Sequence, residues 1–428
     1  MKKICFIACV NNDLMMAECR LYIERLYVPE GWSIEIRTIK NASSMTEGYN
    51  TVMDASDAEI KVYLHQDVFI INRYFLENVI RIFESDPKIG IIGMAGVRYL
   101  PKCGVMWRGG EYRGNLFRPS EEKYNEEEFY DLSLLNDVIC VDGFCIATSK
   151  NIFWREDLFN KFDFYDVSES FEYRRRGYRI VVPDQKSAWC VHDDGGILKL
   201  FDYNENRKKF IEEYGNELFD LENEEYKEAA NTNDNDYIEM LRNLEEQKEY
   251  YLENQHKFII DIEKCLKKCD VESFISNYEK IAVGLKNNEL KMSKDIMIVK
   301  MISSALLSEK KLKFKPFIAG IQNFLQLREK WLRLNFYLRR IEFDFAEDLQ
   351  REGIEFIYDN EISPYAIAMV LYGALSYIGH REKIILKIAE SYFERGDMWY
   401  AYCLLRCIVK PGENTYALIK DLEKLLGQ

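Results

Sequence analysis

Three consecutive polar residues, His65-Gln66-Asp67, follow a segment with the periodicity of a β-strand. Apolar side chains recur at every second position of residues 60–64, which is typical of a half-buried strand. Ligands of parallel α/β sheets bind at the carboxyl ends of the strands. The carboxylate of Asp67 is therefore placed where a hard cation and a diphosphate could meet. An ordinary polar turn is the alternative for this segment taken alone.

The first half of the chain alternates segments with strand and helix periodicity, and these elements must position the polar motif. The predicted strands are 4–10, 33–39, 60–64, 90–97, 137–148 and 178–182. The predicted helices are 16–26, 44–55, 74–83, 167–176 and 201–218. Such alternation predicts an α/β fold, Rossmann-like, with right-handed crossovers and a mostly parallel sheet between two helical layers.

The second half lacks strand-like alternation, and its apolar residues recur at helical spacing. A polar, acidic segment at 222–236 separates the two halves and predicts a linker. We therefore expect an α/β domain at 1–220, a linker at 221–236 and an all-α domain at 237–428. The all-α domain should contain about six to nine helices packed as antiparallel hairpins.

One part of the all-α domain has a feature of a helical repeat. Small and aromatic residues stand at the spacing of a tetratricopeptide-like helix pair at Ala389, Tyr392, Gly396 and Ala401. No second copy is visible in the sequence. Stacked helix pairs offer extended surfaces, so this domain could bind a partner or form a homo-oligomer. Simple support of the first domain is the alternative, and we favour it.

Composition limits the class of protein. The 428 residues carry a formal net charge of −14, which argues against nucleic-acid binding because phosphate contacts need Lys and Arg. The 11 cysteines are scattered with no CxxC pair, which favours reduced thiols and a cytoplasmic location. The apolar run at 4–10 is too short for a signal peptide, and no run approaches a membrane span.

Further short motifs follow the first one in a fixed order. They are Val141-Asp142-Gly143, Trp154-Arg155, Phe164-Tyr165-Asp166, Arg174-x-x-Gly177-Tyr178 before a strand and Pro183, and Trp189-Cys190-x-His192-Asp193. Their order resembles a GT-A-fold, family 2 glycosyltransferase over roughly residues 1–220, in the branch named after a streptomycin-biosynthesis glycosyltransferase domain. The resemblance implies transfer of a sugar from a nucleotide donor to a hydroxyl acceptor, with a divalent metal and inversion at the anomeric carbon.

The resemblance also implies a metal site. Asp67 matches the last position of the family's Asp-x-Asp motif, which binds the metal, while His65 stands where many relatives contact the ribose with an Asp. His192 is the second candidate ligand. Imidazole plus carboxylate suits Mn²⁺ better than Mg²⁺, so the expected cofactor is Mn²⁺ or Mg²⁺. A buried, hydrogen-bonded structural histidine is the alternative for His192.

Asp166 is the candidate catalytic base. It matches the second acid of the family's Glu-Asp motif, and Tyr165 stands at the first. An inverting transfer needs one base to take the acceptor proton, and the dipole of the following helix should keep Asp166 ionised. Asp163 and Glu169 are rivals for this role. Simple capping of the helix is the alternative for Asp166.

The remaining candidates concern the nucleotide and the sugars. The nucleotide pocket is expected to include Cys9, Asn11, Asn12, Asn50 and His65. Asp142 and Gly143 would lie beside the donor sugar and diphosphate, because glycine permits close backbone approach. Aromatic and basic side chains expected to line the bound sugars are Trp154, Arg155 and Trp189. Turn or core roles are the alternatives for all of these residues.

Two other functions compete with an active transferase. Because His65 and Tyr165 replace the usual acids, the chain could be a catalytically silent scaffold that recruits partners through its helical half. A nucleotidyltransferase is disfavoured, since no glycine-rich loop follows the first strand. The favoured function is transfer from a UDP-sugar to a glycan or protein hydroxyl, in the assembly of bacterial surface polysaccharide or glycoprotein.

Overall fold

The computed structural model describes residues 1–116, 135–185, 188–192, 202–218, 235–243, 347–373, 381–408 and 411–427, with positions 334, 337, 338 and 341. The chain divides into two compact units, one formed by Met1–Asp194 with Leu198–Gln247 and the other by Gly195–Ile197 with Lys248–Gln428. The two units are described separately below. The first contains all of the described strands.

The first unit contains, among its described residues, twelve strands, five α-helices with both ends described and a further helical segment at 235–243. The strands are β1 (Lys2–Val10), β2 (Trp32–Lys40), β3 (Ile60–Leu64), β4 (Val68–Ile70), β5 (Ile89–Gly93), β6 (Ala95–Tyr99), β7 (Gly110–Gly114), β8 (Leu135–Asp137), β9 (Cys140–Val141), β10 (Cys145–Thr148), β11 (Arg179–Pro183) and β12 (Cys190–His192). The α-helices are α1 (Asp13–Glu24), α2 (Met45–Ala55), α3 (Phe75–Ser85), α4 (Tyr165–Arg175) and α5 (Tyr203–Tyr214). Short 3₁₀ helices span Met106–Arg108 and Gly215–Leu218.

Seven strands form the central sheet in the order β2-β1-β3-β10-β5-β11-β8. Strands β1, β2, β3, β5 and β11 run in one direction, and β10 and β8 oppose them. The predicted α/β class with a mostly parallel sheet is therefore confirmed. The parallel strands β1 and β3 place their carboxyl ends side by side, which positions the two polar turns that follow them.

Local capping explains why helices begin directly after the first two strands. The side chain of Asn12 accepts a hydrogen bond from the Met15 amide at 3.3 Å, and α1 begins there. Ser44 accepts from the Glu47 amide at 3.1 Å at the start of α2. Such caps satisfy amides that a helix leaves open at its first turn. Both helix starts follow from the sequence alone.

Two predicted strands are each divided in the structure, and these predictions are wrong. Segment 90–97 becomes β5 and β6, and segment 137–148 becomes β8, β9 and β10. Strand β6 leaves the central sheet and joins β7 and β9 in a sheet of three. Glycines permit this crossing, because a Cβ on Gly93 would lie 2.3 Å from Val141 and one on Gly96 would lie 2.5 Å from the Cys140 carbonyl.

An aromatic core on one side of the sheet extends past the predicted domain boundary at residue 220. Rings of α4 and α5 pack together, with Phe171 and Phe210 meeting edge to face at 5.3 Å. Residues 235–243 are helical, and Tyr237 in this segment accepts a hydrogen bond from the Trp107 indole at 2.9 Å. Those residues thus belong with the first unit. Residues 219–234, which include most of the predicted linker, lie outside the described residues.

The described residues of the second unit form helices and short turns. The helices are α6 (Glu347–Asp359), α7 (Pro364–Gly373), α8 (Arg381–Glu394), α9 (Met398–Leu405) and α10 (Glu413–Leu426). The helical character predicted for the C-terminal region is confirmed. Gly396 makes the turn between α8 and α9 at a φ of 83°, and Asp397 caps α9 through the Tyr400 amide. Predicted helices between residues 244 and 333 lie outside the described residues.

Within the described part of the chain, none of the helices has both the length and the apolar character needed to cross a bilayer.

Candidate functional site

Two histidines and an aspartate meet at the carboxyl end of β3. His65 and Asp67 lie in the turn between β3 and β4, and His192 ends β12. Strand β12 pairs with β4 so that His192 lies opposite Val68, which brings it beside Asp67 across 125 residues of chain. His65 Nδ1 is 3.3 Å from His192 Nε2, and Asp67 Oδ1 is 3.9 Å and 3.6 Å from those two atoms.

These three donors fit a divalent cation. Their ligand atoms all lie within 4.8 Å of one another. Atoms at such separations can share a centre about 2.1 Å from each, the usual length of a bond from nitrogen or oxygen to a divalent ion. The side chains of His65 and Asp67 are 30% and 22% exposed, so the cluster is open on one side. Two imidazoles with one carboxylate favour Mn²⁺, Fe²⁺ or Zn²⁺ over Ca²⁺.

Neighbouring groups fix both imidazole rings. His65 Nε2 lies 2.5 Å from the Tyr165 hydroxyl, and the His65 amide donates to the Phe144 carbonyl at 3.0 Å. The Phe144 ring stacks on His192 with a centroid distance of 5.3 Å and an interplanar angle of 19°. His192 is thus buried against β10, while its Nε2 faces Asp67. The contacts with Tyr165 and Phe144 therefore hold the two imidazole rings so that His65 Nδ1 faces His192 Nε2.

Gln66, which the sequence analysis left without a role, joins two strand ends. Its side-chain oxygen accepts from the amides of Asn11 and Asn12 at 2.9 and 2.8 Å, and its nitrogen donates to the Asn11 side chain at 2.5 Å. The turn after β1 is thereby held against the turn after β3. Asn11 and Asn12, expected in the nucleotide pocket, do lie beside the cluster at the same edge of the sheet. The sequence did offer one indication of this role, because Gln66 lies between the site residues His65 and Asp67.

A pair of carboxylates, Asp142 and Asp166, flanks Gly143. Asp166 accepts hydrogen bonds from the amides of Gly143 and Val167 at 2.7 and 2.8 Å. Asp142 accepts from the amide of Phe144 at 3.2 Å, and the ring of Phe144 is the one that stacks on His192. Both residues are partly exposed as a whole, but the Asp166 carboxyl group itself is buried. The loop between β9 and β10, which carries Asp142, thus lies beside the first turn of α4, which carries Asp166.

Burial raises the pKa of Asp166 to about 7, and the neighbouring charge of Asp142 acts in the same direction. Hydrogen bonds from Val167 and Gly143 oppose the shift without cancelling it. Loss of hydration therefore outweighs the two amides, and it opposes the helix dipole that was expected to keep Asp166 ionised at neutral pH. A carboxyl group that titrates near neutral pH is matched to general-base work.

The rivals for the base differ in access. Glu169 is 1% exposed, and burial raises its pKa well above the ordinary value, so its side chain is enclosed inside the protein and has little access to an acceptor. Asp163 is partly exposed and lies on the loop before α4. Only Asp166 bonds to the Gly143 amide beside Asp142. Of the three predicted candidates, Asp166 is the one that the fold brings into the carboxylate pair.

The turn before α4 is unusual in its backbone. Phe164 has a φ of 62°, in the left-handed region that large side chains rarely occupy. Phe164, and not Asp166, is the capping position of α4, and no side chain caps the helix there. A Cβ on Gly143 would lie 2.1 Å from the Tyr165 hydroxyl. Gly143 therefore makes room for Tyr165, whereas the sequence analysis expected it to make room for the donor.

Asn50 and Trp154, expected to bind nucleotide and sugar, contact each other instead. The Asn50 amide donates to the Trp154 carbonyl at 3.0 Å and accepts from the Trp154 amide at 2.9 Å. Trp154 is 2% exposed, and its ring packs between Tyr49 and Tyr63 at 5.0 and 4.8 Å. The indole has no face directed to solvent. This correction follows from aromatic burial, which the sequence could not distinguish from a sugar platform.

Arg155, expected to contact a bound sugar, forms ion pairs within the protein instead. Its guanidinium bonds to Asp157, Glu172 and Glu213 at 2.8 to 3.3 Å. Burial acts to raise the pKa of Glu172, but hydrogen bonds from Arg176, Tyr214 and Arg155 lower it. Arg155 therefore ties α4 to α5, and its expected contact with substrate has no support in this arrangement.

Trp189 is buried, and Cys9 is partly buried at the end of β1. A Cβ on Gly48 would lie 2.5 Å from Cys9 Sγ, and burial raises the pKa of Cys9 to about 12. Trp189 is 8% exposed and meets Phe75 edge to face at 6.1 Å. Its carbonyl accepts from the amide of Ile71, so it anchors β12 beside β4. Both residues position site strands rather than presenting a reactive or stacking group.

One family model and several solved structures are similar to parts of this chain. Residues 5–214 match the glycosyltransferase-like family. Similar solved structures include the mannosyltransferase PcManGT from Pyrobaculum calidifontis in complex with GDP-Man and Mn²⁺, at 12% identity and a TM-score of 0.34, covering 53% of this chain and 68% of that one. Another is S. aureus TarS 1–349 in complex with UDP-GlcNAc, at 8% identity and a TM-score of 0.33, covering 76% and 92%. No curated protein matches the sequence.

Proposed function

We propose that this protein is a metal-dependent, inverting glycosyltransferase that moves a sugar from a nucleoside-diphosphate donor to a hydroxyl of a glycan or protein. One observation carries the proposal. The possible metal ligands His65, Asp67 and His192 cluster at the carboxyl edge of the sheet, and the carboxylates Asp142 and Asp166 flank Gly143 in the adjoining segment. Ligand sites of α/β sheets lie at that edge. The family match over residues 5–214 agrees with the same chemistry.

The three clustered side chains would hold the divalent ion, with Mn²⁺ favoured over Mg²⁺ because two of the donors are imidazoles. When bound, such an ion neutralises charge on a departing diphosphate. His65 is thus proposed as a ligand, in place of the ribose contact first expected for it. Gln66 holds the turn after β1 against the cluster, which fixes the wall on which the nucleotide would lie.

Asp166 is the proposed base. As the acceptor hydroxyl attacks the anomeric carbon and the bond to the diphosphate breaks, the hydroxyl proton passes to a carboxylate oxygen of Asp166. Its amide bonds to Gly143 and Val167 hold the carboxylate in place during the transfer. The charge of Asp142 raises the basicity of Asp166, which strengthens its hold on the proton.

The finer assignments remain part of this proposal. A UDP-sugar is the favoured donor, and the helical second unit is proposed to support the catalytic unit or to bind acceptor. We place the activity in the cytoplasm, because the nine described cysteines are all free, as in reducing compartments. Assembly of bacterial surface glycans is the proposed context.

A donor screen tests the function. The full chain would be incubated with UDP-, GDP- and dTDP-sugars, with and without Mn²⁺, and release of nucleoside diphosphate would be measured. We expect slow, Mn²⁺-dependent hydrolysis of one donor class, which Asp67→Asn removes. A catalytically silent scaffold would hydrolyse none of these donors under any metal condition, and that result would refute the proposal.

A further inference from the structure

The two residues that replace the usual acids, His65 and Tyr165, touch each other. They lie 100 residues apart in the chain, and His65 Nε2 is 2.5 Å from the Tyr165 hydroxyl. The opposite ring nitrogen of His65, Nδ1, faces His192 and Asp67. The imidazole therefore lies between the candidate metal site and the phenol.

An imidazole can bind a cation through only one nitrogen at a time, and the other nitrogen then carries the proton. If Nδ1 is the ligand, Nε2–H needs an acceptor, and the Tyr165 oxygen is at hydrogen-bonding distance. Acceptors in that position fix the tautomer and the ring orientation of metal-binding histidines. We propose that Tyr165 is a positioning residue that holds His65 as a metal ligand through Nδ1. The inference rests on the proposed function, since it presupposes the metal site.

The protein holds Tyr165 firmly in that position. Tyr165 is 3% exposed, and its ring lies 5.9 Å from those of Tyr49 and Trp154. Gly143 leaves the space that the hydroxyl occupies, because a Cβ there would approach it to 2.1 Å. The left-handed Phe164 sets the direction from which the side chain enters.

The contact also bears on the silent-scaffold alternative. That hypothesis rested on the replacement of two acids, the one expected to contact the ribose and the first acid of the Glu-Asp motif. In the structure the replacements form one unit, with an imidazole donor on the metal side and its hydrogen-bond partner behind it. The pair thus restores a three-ligand site instead of dismantling it.

The first test measures metal affinity in the full chain without any donor. Tyr165→Phe keeps the ring and removes the hydroxyl, and Mn²⁺ binding would be measured by titration calorimetry. We expect Mn²⁺ to bind about 10- to 100-fold more weakly, the usual effect of losing such a partner. Tyr49→Phe is the matched control, because its buried hydroxyl has no hydrogen-bond partner among the described residues. The control should bind Mn²⁺ within about twofold of wild type.

The second test asks whether Tyr165 acts through His65. In a His65→Ala background, Tyr165→Phe should cause no further loss of Mn²⁺ affinity, as expected for residues that act as a pair. Side-chain ¹⁵N NMR adds a direct signature, since the chain has only 4 histidines. Metal-free wild type should show His65 protonated at Nε2, and Tyr165→Phe should show a mixture of tautomers.

The outcomes separate this inference from the proposed function. If wild type binds Mn²⁺ and Tyr165→Phe binds it equally well, the positioning role is refuted while the metal site stands. An equal loss in the presence and absence of His65 would also refute it, because Tyr165 would then act through general packing. If wild type binds no Mn²⁺, the metal site of the proposed function fails and the inference fails with it.

Discussion

Two groups of residues were predicted to form the site, and the structure treats them differently. His65, Asp67 and His192 meet at the strand ends, with polar atoms directed at one another and partly open to solvent. Asn50 and Trp154 satisfy each other's polar groups through paired hydrogen bonds beneath the surface. Side-chain groups that pair with a buried backbone in this way indicate support of the fold. Side chains that converge on one point where a cation could bind, or whose pKa is shifted from its ordinary value, indicate function.

The largest effect is expected at the base. Asp166→Asn keeps the size of the side chain and removes the proton acceptor, so turnover should fall about 10²- to 10⁴-fold. Donor affinity should stay within about threefold, since the carboxylate acts on the acceptor. Steady-state kinetics and donor titration measure the two quantities. Asp163→Asn and Glu169→Gln are the matched controls. If one of them loses turnover while Asp166→Asn remains active, the residue changed in that control is the base and Asp166 is not.

The next effect concerns the ligand cluster. Asp67→Asn removes the only carboxylate of the His65–Asp67–His192 cluster, and we expect at least about a hundredfold loss of transfer, the scale of one major charge-stabilising contact. Chelation of wild type should give a similar loss that added Mn²⁺ reverses. Thermal melting should show an intact fold. If Asp67→Asn transferred sugar at nearly the wild-type rate at saturating Mn²⁺, the cluster would have no role in the reaction.

A smaller, graded effect should follow pH. Because burial raises the pKa of Asp166 to about 7, the ionised form that accepts a proton is scarce at pH 5 and dominant at pH 8. Below that pKa, kcat/KM should rise about tenfold per pH unit, and above it the profile should level off. The rise should vanish in Asp166→Asn. A wild-type profile with its only inflection near pH 4 would contradict the shifted pKa.

The smallest catalytic effect is expected in the second group. Asn50→Ala removes two hydrogen bonds to the Trp154 backbone and should destabilise the fold by about 1–3 kcal/mol. Turnover of the folded enzyme should remain within about threefold. Thermal melting and kinetics together check this, with the exposed Thr51→Ala as a control near wild-type stability. If Asn50→Ala bound the donor tenfold more weakly at an unchanged Tm, Asn50 would be a nucleotide-binding residue, as the sequence analysis expected.

Local interactions explain what could be predicted from sequence. Apolar periodicity and capping residues depend on neighbours within a few positions, so β1, β2, β3 and the first helices were predicted close to their observed bounds. The place of Asp67 at a strand end and of Asp166 at a helix start followed from the same patterns. The division of 90–97 and 137–148 did not, because it depends on glycines that allow two distant strands to cross.

The tertiary structure alone decided which polar residues meet. The pairing of β12 with β4 brings His192 to Asp67, and the close approach at Gly143 brings Tyr165 to His65. Burial, which no local pattern encodes, raised the pKa of Asp166 and enclosed the Trp154 ring. The sequence by itself determined the order of elements and the donor groups at their ends. Long-range packing determined which of those groups converge, because desolvation and contact depend on segments far apart in the chain.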